Sequence, residues 1–282
     1  MHDIKSDVSI RAVRLGENAP FVRKDGNGRA LTRWLFATRE NLGFSPRMAV
    51  GVSKLETDCK STLFGTVEEN DREKACIVIK GIMKLSASGA TGKILSYRDF
   101  AYIPPGLDYE VENVGYTDLD VAWVMSPSFE SKPDSLTSGW GEPVVIRTLS
   151  EVEPVKVTIP GMERSIYRLD YAKSFRFALF TRKGHTYSPL HTHEPKDFEE
   201  GYVVLQGSLT LTDLNGSSKT LHEGDFAYVP PYGGNMNENV SDDEVHYMWC
   251  GAPAVSMKEI PVDQSLSKLQ GKLSLGKEER PR

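Results

Sequence analysis

Two nearly identical heptapeptides, DFAYIPP at 99–105 and DFAYVPP at 225–231, lie 126 positions apart in a chain of 282 residues. The match extends backwards without a gap: KACIVIKGIMKLSASGATGKILSYRDFAYIPP aligns with EGYVVLQGSLTLTDLNGSSKTLHEGDFAYVPP. Gly81 falls on Gly207 and Asn113 on Asn239. Solenoid units repeat every 20–50 residues or so, and a longer period marks a duplicated domain. The boundary is expected near 135, inside the Ser-, Pro- and Gly-rich segment SPSFESKPDSLTSGWGEP (126–143), which divides the chain into 1–135 and 136–282.

Each copy reads as β structure. CIVIKGIMKLSA and YVVLQGSLTLTD are apolar or alternating runs with a central glycine that permits a tight bend. SGATG and LNGSS are turn clusters, and DFAYIPP is a short strand stopped by two prolines. FRFALFTRKG (175–184) alternates Phe175, Phe177 and Leu179 with other residues. Many short strands separated by turns predict an all-β protein of sandwich or barrel type. Short helices are expected at 32–41 and in the C-terminal PVDQSLSKLQGKLSLGKEERPR.

Composition narrows the function. A hydrophobic fraction of 39% and a charged fraction of 26% fit a globular protein, and no run of about 18 apolar residues predicts a membrane helix. The net charge of −5, with no basic face, argues against a nucleic-acid partner. The start, MHDIKSDVSIRAVRL, lacks the apolar core of a signal peptide, and Cys59, Cys76 and Cys250 form no CxxC pair. The expectation is a reduced, cytoplasmic protein acting on a small molecule, with a homodimer as the default assembly.

The second half carries chemistry. HTH at 191–193, then Glu200 and, seven positions on, Gly207, resembles the first cupin motif; GDFAYVPPYGGNMNEN (224–239) resembles the second. The chain therefore resembles a bicupin, two tandem double-stranded β-helix (jelly-roll) barrels, over roughly 50–125 and 175–252. It departs from the pattern in three places, one of them Tyr232 where a Gly is expected. Six residues instead of three or four separate His193 from Glu200, and Asn235 stands where a histidine ligand is usual.

Residues two apart on a strand face the same way, so His191 and His193 converge on one side, and His185, Tyr187 and Pro189 share their parity. Glu200 opens the next strand and is preferred to Glu199 because it keeps the spacing to Gly207. Two imidazoles and one carboxylate suit one divalent transition metal per chain, Fe(II) first, with Mn(II), Zn(II) or Ni(II) as alternatives. Asn235 is a candidate weak fourth ligand, a hydrogen bonder to a ligand or substrate, or a turn residue. His246 is a candidate fourth ligand or general acid/base, and Tyr187 a candidate base. His185, Phe177, Tyr202 and Trp249, with Phe175 and Val204, are expected to give the pocket a partly aromatic lining.

In the first half the same positions read differently. Glu200 maps to Lys74 and Asn235 to Tyr109; one extra residue puts the histidines on Phe64 and Thr66. No triad survives there, and a lysine repels a cation. The first barrel is expected to be structural, forming an interface or covering sheet edges. The leading functional expectation is an Fe(II) dioxygenase acting on a small aromatic or enolic metabolite. The alternative is a redox-neutral hydrolase, isomerase or lyase; the bicupin ureidoglycine aminohydrolases resemble this one-active-barrel plan, though their ligand pattern is not matched here residue by residue. A non-catalytic binder ranks third.

Overall fold

The structure, a computed structural model, describes residues 9–17, 19–36, 47–62, 71–87, 90–126, 144–254 and 258–262. The first half contributes β1 (Arg11–Val13), β2 (Phe21–Lys24), β3 (Ala30–Leu35), β4 (Ala49–Leu55), β5 (Lys60–Ser61), β6 (Glu73–Lys80), β7 (Met83–Ala87), β8 (Ala90–Leu95), β9 (Phe100–Ile103), β10 (Tyr109–Asn113) and β11 (Leu119–Ser126). The second contributes β12 (Val145–Arg147), β13 (Val155–Val157), β14 (Arg164–Arg168), β15 (Arg176–Arg182), β16 (Thr186–Glu194), β17 (Glu199–Gln206), β18 (Ser208–Asp213), β19 (Ser218–His222), β20 (Phe226–Val229), β21 (Gly234–Asn239), β22 (Val245–Ala252) and β23 (Lys258–Pro261). Among the described residues no α-helix occurs, and none is long and apolar enough to cross a membrane. The helix expected at 32–41 is corrected over its first residues. Thr32–Leu35 lie in β3, where Leu31 and Arg33 are buried with period two between β2 and β4. Residues 37–41, most of the linker, Phe64, Thr66 and the C-terminal helix from 263 onward lie outside the described residues.

Each half folds into two antiparallel sheets. The first pairs β12-β9-β6-β11-β4-β3-β2 with β5-β10-β7-β8; the second pairs β1-β20-β17-β22-β15-β14-β13 with β19-β18-β21-β16-β23. The glycines between the repeated strands are required by backbone geometry. Gly81 and Gly207 have φ of 86° and 81°, and a Cβ on Gly81 would meet the Asp118 carbonyl at 2.8 Å.

Three cores explain the apolar runs. Cys76, Val78, Val111 and Trp123 fill the first barrel, and Val204, Leu209, Val229 and Tyr247 fill the second. The third core lies between the barrels, where Ile77, Phe100 and Val124 meet Phe177, Val203, Phe226 and Met248. Strands β6 and β22 are thus buried on both faces, so they read as continuous hydrophobic runs rather than alternating ones. Burying one such side chain contributes about 1.5–3 kcal/mol.

The halves also exchange edge strands. β1 pairs with β20 of the second barrel (Ala12 opposite Ala227), and β12 pairs with β9 of the first (Ile146 opposite Ala101). The repeated heptapeptide organises this junction. Asp99 accepts the backbone N–H of Leu149 at 2.8 Å, and Asp225 accepts that of Leu15 at 3.1 Å. Tyr102 donates to buried Glu73 at 2.8 Å, and Tyr228 to buried Glu199 at 2.6 Å. The β20 edge of one large sheet and the β9 edge of the other are each covered by a strand from the other half, which removes an exposed pairing template there.

Candidate active site

Strand β16 presents the histidines, but not with uniform parity. Ser188 pairs with Asn237 and His191 with Asn235, so β16 carries one residue more than its partner between these points. Pro189, which has no N–H to donate, sits in this bulge. The extra residue flips the alternation: Thr186 and Ser188 point inward before it, His191 and His193 after it. Two expectations are corrected for this reason. Tyr187 is 42% exposed and lies outside the barrel. His185 adopts φ of 58° and pairs with Asp242 on the surface at 2.7 Å.

His191 and His193 are both buried, with ring centroids 5.0 Å apart and planes nearly perpendicular. The His191 Nδ1–H donates to the Pro189 carbonyl at 2.8 Å, which leaves Nε2 as the nitrogen with a free lone pair. His193 Nε2 is buried without a hydrogen-bond partner and stands 3.7 Å from Glu200 Oε1. Burial lowers the His193 pKa, opposed by the Glu259 charge, so its imidazole is kept neutral, the form a metal requires.

Glu200 lies on the first turn-side residues of β17 and faces the barrel interior; Glu199 faces the other barrel. The Glu200 carboxylate is held from three sides. Trp249 Nε1–H donates to Oε1 at 2.7 Å, Tyr202 O–H to Oε1 at 3.1 Å, and Asn235 Nδ2–H to Oε2 at 2.6 Å. Burial raises its pKa, against the lowering effects of His191, Trp249 and Tyr202. Tyr202 is itself pushed well above the usual phenol range, by burial first and the Glu200 charge second, so it remains a donor. Asn235 lies inside strand β21, and its amide nitrogen orients the carboxylate.

A cavity of about 70 Å³ opens beside this cluster, bordered by His191, Glu200, Tyr202, Trp249 and Asn237. At roughly 10–15 Å³ per water it has room for only a handful of heavy atoms. The expected aromatic lining is partly corrected. Tyr202 and Trp249 border the cavity, whereas Phe175 is committed to the core between the barrels and Val204 to the barrel interior. Phe177 touches the cavity but also belongs to the core between the barrels. Phe180 and Tyr247 complete the aromatic wall, and Arg164, Arg168 and Arg176 add charge to it.

His246 is also corrected. Its Nδ1 meets Tyr97 Oη of the first half at 2.7 Å and its Nε2 meets Glu244 at 2.6 Å, away from His191 and Glu200. Along β22, Val245, Tyr247 and Trp249 point into the barrel, so His246 points to the other barrel. Sequence reasoning missed Glu259. Strand β23 runs beside β16 and sets it opposite His193, at the border of the cavity. A four-residue strand beyond Pro253 carries no motif that marks it.

The donors are of the right kind for a divalent metal: an orphaned imidazole nitrogen, a second imidazole with its tautomer set, and an oriented carboxylate. Among the described residues no three His, Cys, Asp or Glu side chains form a ready-made cage. Glu200 must give up one of its hydrogen bonds to take part.

Residues 178–251 match the cupin domain family. The (S)-ureidoglycine aminohydrolase of Arabidopsis thaliana is 30% identical over 105 residues, covering 26% of this chain and 33% of that protein. The matched stretch thus spans about a third of that relative's length. Among solved structures, the Lactobacillus farciminis oxalate decarboxylase superposes with a TM-score of 0.67 at 11% identity, covering 96% of this chain and 94% of that one. The Bacillus subtilis oxalate decarboxylase, a protein with Mn(II) centres, gives 0.65 at 16% identity, covering 94% and 84%. At such identities the superpositions show the fold. The second barrel thus carries the cupin domain match, and the chain as a whole has the fold of two tandem barrels seen in these bicupin structures.

Proposed function

We propose that the second barrel is the catalytic half of a metal-dependent enzyme that hydrolyses a C–N bond in a small polar metabolite. The observation that carries this is the small cavity at His191 and Glu200, where Arg164, Arg168 and Arg176 interrupt walls of Phe177, Phe180, Tyr247 and Trp249, so that a substrate must satisfy charge as well as apolar contact. The local similarity to a ureidoglycine aminohydrolase supports the reaction class. His191, His193 and Glu200 would hold the metal, which when bound supplies Lewis acidity and an activated water. Trp249, Tyr202 and Asn235 keep the carboxylate aimed. The side chain of Glu259, exposed at the cavity border and without a hydrogen bond among the described residues, would move a proton between cavity and solvent.

One observation favours the competing Fe(II) dioxygenase. Asn235 commits its amide nitrogen to Glu200, which leaves a two-His, one-carboxylate set, the donor pattern of non-haem iron oxygenases. The two readings separate in one experiment. Protein purified without a histidine tag is assayed for metal content, then for ammonia release from small ureido compounds with and without oxygen. About one Mn, Zn or Ni per chain with oxygen-independent ammonia release is expected. Iron with substrate-dependent O2 uptake would replace hydrolysis by oxygenation. Turnover absent with every metal would reduce the chain to a binding protein.

A further inference from the structure

Strands β14 and β15 bring arginines together on the inner wall of the second barrel. Arg164 stands directly opposite Arg182, and both guanidinium groups donate to the same hydroxyl, Ser188 Oγ. Like charges directly opposite one another on a ladder are destabilising. Arg182 is fully buried, and its other hydrogen bond goes to the neutral Asn237 Oδ1 at 2.5 Å. Its Nε and Nη1, and Nε of Arg164, are buried without partners. Among the described residues neither arginine has a carboxylate partner, although a buried guanidinium is ordinarily paired.

The pair is joined to the carboxylate cluster. Arg182 donates to Asn237, Asn237 Nδ2–H to Asn235 Oδ1 at 3.2 Å, and Asn235 to Glu200. Arg164 and Asn237 both border the cavity. Asp170, Glu200 and Glu259 border it as well, but none forms an ion pair with these arginines, and Glu200 is already held by three donors.

We infer that Arg164, which borders the cavity, backed by the buried charge of Arg182 behind Ser188 and Asn237, forms an anion subsite that holds a carboxylate group of the substrate beside Glu200. This rests on the cavity being the catalytic one. A forked guanidinium matches the two oxygens of a carboxylate, and a buried site strengthens the pairing. The cavity volume limits the ligand to a compact carboxylic acid.

The test uses the full-length protein, as purified and after chelation, titrated calorimetrically with acetate, glycolate and malonate, with acetamide and inorganic phosphate as controls. The carboxylates are expected to bind the chelated protein, acetamide to fail, and Arg164→Gln to weaken binding by at least about 10-fold. Arg182→Lys, which keeps the charge and loses the fork, is expected to weaken binding with an unchanged circular dichroism spectrum. Equal binding of acetamide, tighter binding of phosphate, or no effect of either variant would overturn the assignment. Carboxylate preference in a protein that takes up no metal would sink the catalytic reading and leave the subsite standing. One metal per chain with no carboxylate preference would do the reverse.

Discussion

Glu200, Asn235 and Trp249 in the second barrel occupy the positions of Lys74, Tyr109 and Trp123 in the first, each 126 residues earlier. In the second barrel the tryptophan N–H and the asparagine amide both point at a buried carboxylate. In the first, Trp123 donates to Ser53 at 2.9 Å instead. Lys74 is fully buried, donates to the Arg72 carbonyl at 2.9 Å, and lies 5.5 Å from the centre of the Tyr109 ring. Next along the wall, Asn237 stands where the first barrel has buried Val111. One backbone thus supports two interiors. In one an anion is oriented beside an open cavity, and in the other a cation and an aromatic ring fill the same place. The lesson is that the repeat keeps the wall and the junction, while a few inward positions give each barrel a different interior.

The largest expected effect separates the two barrels directly. Glu200→Ala should abolish metal retention, measured by elemental analysis after dialysis, whereas Lys74→Ala should leave metal content unchanged. Lys74→Ala should instead lower stability by about 2–4 kcal/mol, because removing a fully buried long side chain leaves a cavity, as denaturant melts would show. Metal lost from the Lys74 variant would mean that the first barrel is not inert.

A smaller effect tests the orientation of the carboxylate. Asn235→Ala removes the 2.6 Å hydrogen bond to Glu200 and should weaken metal affinity by roughly 10–100-fold; Trp249→Phe should weaken it less. Titration with a competing chelator measures both. Unchanged affinity in both variants would show that the three-donor cradle does not prepare the ligand.

The smallest effect concerns the junction. Burial holds His246 at a lowered pKa, against the raising influence of Glu244. The folded state therefore binds fewer protons than the unfolded chain, whose histidines titrate near about 6.5. Stability is present above that value and is lost as pH falls from it through the lowered folded pKa. His193 acts in the same sense in metal-free protein. Denaturant melts at pH 7 and pH 5.5 should show wild type losing stability and His246→Gln losing less, with its metal content unaltered. Equal losses in both would remove His246 from the pH response.

The site was legible where its determinants are local. Glu200 over Glu199 followed from spacing and parity, and the structure turns Glu200 inward and Glu199 to the junction. That Lys74 and Tyr109 stand at the places of Glu200 and Asn235 followed from the repeat alone. The errors arose where parity depends on a partner strand. The bulge at Pro189 is defined by the pairing of β16 with β21, so counting back from His191 sent Tyr187 and His185 to the wrong face. His246 failed for a different reason. Both faces of β22 are buried, so apolar alternation does not say which face is the barrel interior.

Local chemistry in the sequence determined the duplication, the all-β class, the glycine turns and the choice of His191, His193 and Glu200 as the inward-facing cluster. These depend on period-two patterning, turn-specific residues and short-range spacing, which a chain carries without knowing its partners. The tertiary structure alone decided the exchange of β1 and β12, the placement of Glu259 opposite His193, and the meeting of Arg164 with Arg182 over Ser188. Those contacts join residues whose adjacency comes from sheet order, and sheet order is set by packing three hydrophobic cores at once.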